Sequence, residues 1–148
     1  MEGLARKYFI TEDIEAITQA IKEAEKETSG EIRVHIEEFC TKKNVLDRAA
    51  KVFAELKIHK TELRNGVLIY LAFRDKKFAI IGDKGINRVV EPDFWDTTRN
   101  IMQEHFRSSG FSKGLIHGIQ QAGTQLKKYF PYQKDDINEL SDEISFGD

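Results

Sequence analysis

Asn65-Gly66-Val67-Leu68-Ile69-Tyr70-Leu71-Ala72-Phe73 is the stretch that decides the fold. An Asn-Gly pair punctuates the chain, and an unbroken apolar, β-favouring run follows it. A short run of this kind reads as a strand covered on both faces. The polar turn Arg74-Asp75-Lys76-Lys77 then leads into Phe78-Ala79-Ile80-Ile81, which predicts a hairpin. Upstream, Glu31-Ile32-Arg33-Val34-His35-Ile36-Glu37 alternates with period two. Its apolar members share one face, so a half-exposed strand is expected, with His35 on the solvated side. Between these strands Asn44 can cap a helix whose buried stripe is Val45, Leu46, Ala49, Val52, Phe53 and Leu56. A parallel, right-handed crossover from the first strand to the second follows.

Thr11 can cap an opening helix with Glu12 and Asp13 in its first turn, and Ser29-Gly30 closes it. Gly82-Asp83-Lys84-Gly85 is a tight loop with one helical turn after it, and a longer helix is expected to start near Pro92. Ser112 can cap a last helix that stops before Pro131. The order is α-β-α-β-β-α-α, which predicts a three-layer αβα sandwich: a small mixed sheet with helices on both faces. Residues 1–131 form the expected single domain. Residues 132–148 form a polar tail, a strap anchored by Leu140, Ile144 and Phe146.

Bulk composition excludes several function classes. The chain has 148 residues, 40% hydrophobic and 32% charged, with a formal net charge of −2. Lys and Arg are spread among Asp and Glu and form no basic surface, so nucleic acid is not an expected partner. The single cysteine, Cys40, precludes an internal disulfide, and Glu37 and Glu38 beside it disfavour a reactive thiolate. No apolar leader opens the sequence, and no apolar run approaches the ~20 residues of a spanning helix. A soluble, cytoplasmic protein without membrane insertion is therefore expected.

Nucleophile elbows, Walker loops and dinucleotide fingerprints are absent from the sequence. His35, His59, His105 and His117 have no zinc-ligand spacing among themselves or with Cys40. The loop from Gly82 to Gly85 could cradle phosphate, but a plain strand-to-helix turn is the commoner use of such a sequence. Carboxylates are more informative, because hard cations are held by oxygen ligands from several segments. The topology collects Glu31, Asp83, Glu91, Asp93 and Asp96 at one end of the sheet. It collects Glu37, Glu38, Asp47 and Asp75 at the other, where Lys42, Lys43, Arg74, Lys76 and Lys77 could neutralise them. Asp135-Asp136-Ile137-Asn138-Glu139 lacks the glycine and the terminal Glu spacing of an EF-hand.

Four segments carry a resemblance. They are Ser29-Gly30-Glu31-Ile32, Asn65-Gly66-Val67-Leu68-Ile69, Ile80-Ile81-Gly82-Asp83-Lys84-Gly85-Ile86 with Asp93, and Phe111-Ser112-Lys113-Gly114-Leu115 with Gly118. In order and spacing they resemble the TPM domain family, from Thr11 to Tyr129. The resemblance implies a Rossmann-like αβα sandwich and divalent-cation binding, notably calcium, with magnesium the second candidate. It also implies acid-phosphatase activity in some members. Carried over by position, Asp93 is the first acidic site residue and Glu31 the next, whereas Asp83 rests on topology. Many members carry a signal peptide, a C-terminal anchor, a G-x-G loop and a Glu where this chain has Asn87. The expected ligand set is Glu31, Asp83, Asp93 and Asp96, with Glu37, Glu38, Asp47 and Asp75 as the alternative end. The expected function is a calcium-binding, regulatory module. The alternative is a metal-dependent phosphatase acting on phosphomonoesters, and a phosphomonoester or a protein would be the further partner.

Overall fold

The computed structural model describes residues 4–133 and 138–147. The elements are α1 (Leu4–Tyr8), α2 (Thr11–Glu25), β1 (Glu31–Glu37), α3 (Val45–Glu55), β2 (Gly66–Ala72), β3 (Lys77–Gly82), α4 (Lys84–Asn87), α5 (Asp96–Arg107), α6 (Phe111–Lys127) and β4 (Ser145–Phe146). They form an α/β fold around one mixed sheet ordered β3-β2-β1-β4. β1 runs parallel to β2, with Glu31 opposite Gly66 and Glu37 opposite Ala72. β2 and β3 are the antiparallel hairpin read from the sequence. Among the described residues no helix is long and apolar enough to cross a membrane.

β2 explains the layering. Every one of its residues is buried, and alternate side chains enter two separate cores. Val67, Ile69 and Leu71 join Ile32, Val34 and Ile36 of β1 beneath α2, α5 and α6. Leu68, Tyr70 and Ala72 face Ala49 and Val52 of α3 on the other side. Burying each large aliphatic chain contributes about 1.5–3 kcal/mol, so these two faces dominate folding. Asn44 caps α3 through its side-chain oxygen, which accepts from Leu46 N at 2.8 Å.

Several local expectations shift. Thr11 is the first helical residue and not the cap, because Ile10 takes the extended cap position. α5 begins at Asp96, one turn beyond Pro92, after a turn in which Asp96 N donates to Asp93 O. α6 begins at Phe111, with Gly110 at the cap. The tail is more than a strap: Ser145 and Phe146 add a short parallel strand to β1. Leu140 packs on the α3 side, while Ile144 and Phe146 pack on the opposite core.

That tail corrects the reading of β1 as half-exposed. Glu31, His35 and Glu37 are only 4%, 6% and 3% exposed. His35 is not solvated: its Nδ1 lies 2.9 Å from Ser145 Oγ and its Nε2 lies 3.1 Å from Glu37 Oε1. Period-two alternation reports polarity, and here the polar face is covered by polar partners from α3, β2 and the tail.

Candidate functional site

The amino end of β1 gathers acidic side chains from three segments. Glu25, the last residue of α2, accepts Ile32 N through Oε2 at 2.9 Å. Glu31, the first residue of β1, accepts Leu140 N through Oε1 at 2.6 Å. The tail supplies Glu139, whose Oε2 accepts Glu62 N at 3.2 Å, and Asp142, whose Oδ1 accepts the Asn138 amide at 3.2 Å. Backbone donors thus orient Glu25, Glu31 and Glu139.

Ionisation is unfavourable for two of these carboxylates. Burial, then a hydrogen bond with Asp142, pushes Glu25 up to about 9, against the opposing pull of Ile32 N. Burial pushes Glu31 up to about 7; Leu140 N opposes it, and the charges of Glu139 and Asp142 add to it. Both therefore hold protons where ordinary carboxylates have lost them. A 170 Å³ cleft lined by Glu25, Thr28, Ser29 and Glu31 opens beside them. A wider 330 Å³ cleft, lined by Lys22, Glu25, Lys26 and Asp142, adjoins it. Tyr132 and Asn138 border both.

The four residues expected from sequence are distributed differently. Glu31 lies in this cluster. Asp83 is near the same end of the sheet, where its N–H donates to Gly66 O, but its carboxylate is taken. Arg64 grips it with Nε and Nη2 at 2.8 and 3.0 Å, and Lys84 N donates to it at 2.8 Å. Asp93 is exposed in the turn before α5, and Asp96 pairs with Arg99 one turn along the same helix. Among the described residues no group of three or more His, Cys, Asp or Glu side chains is drawn close enough to hold a metal. Glu25 and Glu31 line the smaller cleft and Glu25 and Asp142 the wider one, without closing round one point. Asp135, Asp136 and Ile137 of the acidic tail segment lie outside the described residues.

The opposite end of the sheet is built as a closed ion-pair network. Arg48 Nε and Nη2 each sit 2.8 Å from the Glu37 carboxylate, which also accepts from Tyr70 Oη. Burial pushes Glu37 up, but bonds from Arg48, His35 and Tyr70 outweigh it and hold the carboxyl at about 2. Glu38 pairs with Arg74 at 3.4 Å, and Asp75 accepts Cys40 N at 2.7 Å. Asp47 sits in the first turn of α3, where the helix dipole favours it. The Gly82–Gly85 loop takes the plainer of its two expected uses. It is the turn into α4, with Gly85 N donating to Arg64 O at 2.8 Å.

Sequence reasoning missed Glu25, Glu139 and Asp142 as companions of Glu31. Glu25 sits at the end of α2 just before the helix-to-strand junction. The tail's acidity was visible, but its path across β1 has no local signature. A pair of histidines was missed too: His105 and His117 come together across α5 and α6.

Comparison with known proteins agrees with this architecture. A sequence profile described as the TPM domain matches residues 6–125. Curated proteins give no match. Among solved structures, the chain is similar to the NMR structure of BA42 protein from the psychrophilic bacterium Bizionia argentinensis. That similarity is 53% identity over 99% of this chain and 100% of the other, with a TM-score of 0.90.

Proposed function

The chain belongs to the TPM domain family, and from that premise we propose that it is a divalent-cation-binding module, with calcium as its ion and magnesium as the competitor. The observation that carries this reading is the pair of adjoining clefts lined by Glu25, Glu31 and Asp142, with Glu139 beside Glu31; Glu25 and Glu31 are pushed toward protonation by burial and by neighbouring carboxylates. Hard oxygen donors suit calcium, which takes about 6–8 such ligands at flexible geometry. A dication would convert the repulsion among these groups into attraction. The bonds from Ile32 N and Leu140 N to Glu25 and Glu31 act as outer partners that keep the oxygens aimed.

Glu31 is the centre of the proposed ligand set. Asp83 would have to leave Arg64 to take part, and Asp93 and Asp96 form the competing set with Glu31. Calorimetric calcium titration of the wild type against Glu31→Gln and Asp93→Asn separates the two. Loss of binding in Glu31→Gln with retention in Asp93→Asn supports the cleft. Retention in Glu31→Gln contradicts it.

One observation favours a second reading, metal-assisted hydrolysis of a phosphomonoester. Lys22 and Lys26 line the same cleft as Glu25 and Asp142, and two ammonium groups could bind phosphoryl oxygens. Glu25, protonated up to about pH 9, could deliver a proton to the leaving oxygen. A bound dication would add charge stabilisation of the phosphoryl group. Hydrolysis of a generic phosphomonoester with calcium or magnesium, abolished by Glu25→Gln, is the result this reading requires.

A further inference from the structure

Far from the carboxylate cleft in sequence, α5 and α6 carry a histidine pair. His105 Nε2 lies 2.8 Å from His117 Nδ1. The ring centroids are 4.6 Å apart, with the planes inclined at 72°. His105 is half-buried and His117 exposed, so the pair is open to solvent on one side. Ser109, with a φ of 62°, and Gly110 turn the chain between the helices.

The close approach is built into α6. A Cβ at Gly114 would fall 2.5 Å from Phe106 Cε1 and 3.1 Å from His105 Cβ. At Gly118 it would fall 2.5 Å from Met102 Sδ. With no side chain at either position, α6 lies directly on α5, and the two imidazoles on its rim are brought into contact.

The geometry points to a binding site for a borderline transition-metal cation, zinc in the first instance, held between His105 Nε2 and His117 Nδ1. Imidazole nitrogens bind zinc at about 2.0–2.1 Å, so two of them at roughly 90–109° stand about 2.9–3.4 Å apart. The observed 2.8 Å needs only a few tenths of an ångström of opening. With both rings neutral, one inner nitrogen carries the proton that the other accepts. Zinc binding requires both inner lone pairs, so that proton moves to the outer nitrogen of the same ring. No net proton is lost, and the change is a tautomer shift. Water completes the coordination, and the bound ion staples α5 to α6. Lys113, one turn before His117 on α6, opposes a dication, but its long exposed chain can turn away. This site is chemically distinct from the carboxylate cleft: nitrogen donors suit zinc, copper or nickel, and oxygen donors suit calcium.

The test is a zinc titration of the full chain in saturating calcium, so that the carboxylates are occupied. Calorimetry gives stoichiometry and affinity, and long-range proton–nitrogen spectra of the imidazoles give the tautomers. The expected result is saturable binding of one zinc, with tautomer and shift changes confined to His105 and His117. Binding should weaken at least about tenfold in either His105→Gln or His117→Gln, the loss of one good ligand. His59→Gln should bind as the wild type does. His117 is exposed, so its variant keeps the fold, which the amide spectrum checks. Zinc binding equally tight in both single variants, or no saturable binding in the wild type, overturns the assignment.

Discussion

Replacing Glu31 by Gln should stabilise the metal-free protein in alkaline solution and leave it unchanged in acid. Glu31 has an ordinary value of 4.5 and is pushed up to about 7 in the fold. The folded state therefore holds its proton more tightly than the unfolded chain does. Such a group favours folding below the unfolded value and withdraws that support as pH rises through the folded one. Each unit of displacement corresponds to about 1.4 kcal/mol, so ionised Glu31 costs the fold about 3 kcal/mol at about pH 8. Water in the adjoining 170 Å³ cleft screens part of this and brings the expected figure to about 2 kcal/mol. The amide of Gln is neutral at every pH and can still accept Leu140 N. For a chain of 148 residues the gain is a Tm rise of about 4–8 °C at about pH 8, shrinking to nothing at about pH 4. Thermal melts at the two pH values read this directly. Calcium should reverse the order at the higher pH by stabilising the wild type more than the variant. A shift of equal size at both pH values, or a loss of stability at the higher one, would refute the reasoning.

Calcium affinity should rise between about pH 6 and 9 with uptake coupled to proton release, because Glu31 and Glu25 titrate toward about 7 and 9; calorimetry in buffers of differing ionisation enthalpy counts the protons. Arg48→Ala should destabilise by about 3–5 kcal/mol at neutral pH, since it leaves the buried Glu37 carboxylate without its guanidinium. Glu37 is held at about 2, so its support is present above the ordinary carboxylate value and fades as pH falls toward the folded one; urea melts should show the penalty shrinking in acid. Gly114→Ala should cost about 1–3 kcal/mol from overpacking against the Phe106 ring, partly offset by about 1 kcal/mol of helix propensity, as a denaturant midpoint will show.

The layers of this fold were legible because burial and period speak together in β2. The run from Val67 to Phe73 demanded cover on both sides, and the two cores supply it. Asn44 and the β2–β3 hairpin were legible for the same local reasons of capping and turn chemistry. The start of α5 was not, because Pro92 is compatible both with a first helical position and with the turn that precedes one. Of the candidate cleft, only Glu31 was legible. Its companions Glu139 and Asp142 arrive from a tail more than a hundred residues later in the chain, and no periodicity encodes that crossing. Asp83 was placed at the right end of the sheet, but nothing near it in sequence announced that Arg64, two residues before Gly66, would occupy its carboxylate. His35 shows the same limit: alternation marked it polar, and only Ser145 and Glu37 in three dimensions make it buried.

A residue-resolved calcium titration followed by backbone amide NMR tests the central claim most directly. The account predicts saturable shifts centred on Glu25, Glu31, Ile32 and the segment 138–143, with Asp93 and Asp96 unmoved. Shifts centred instead on Asp83, Asp93 and Asp96, or on Glu37, Asp47 and Asp75, or no saturable shift anywhere, would contradict it.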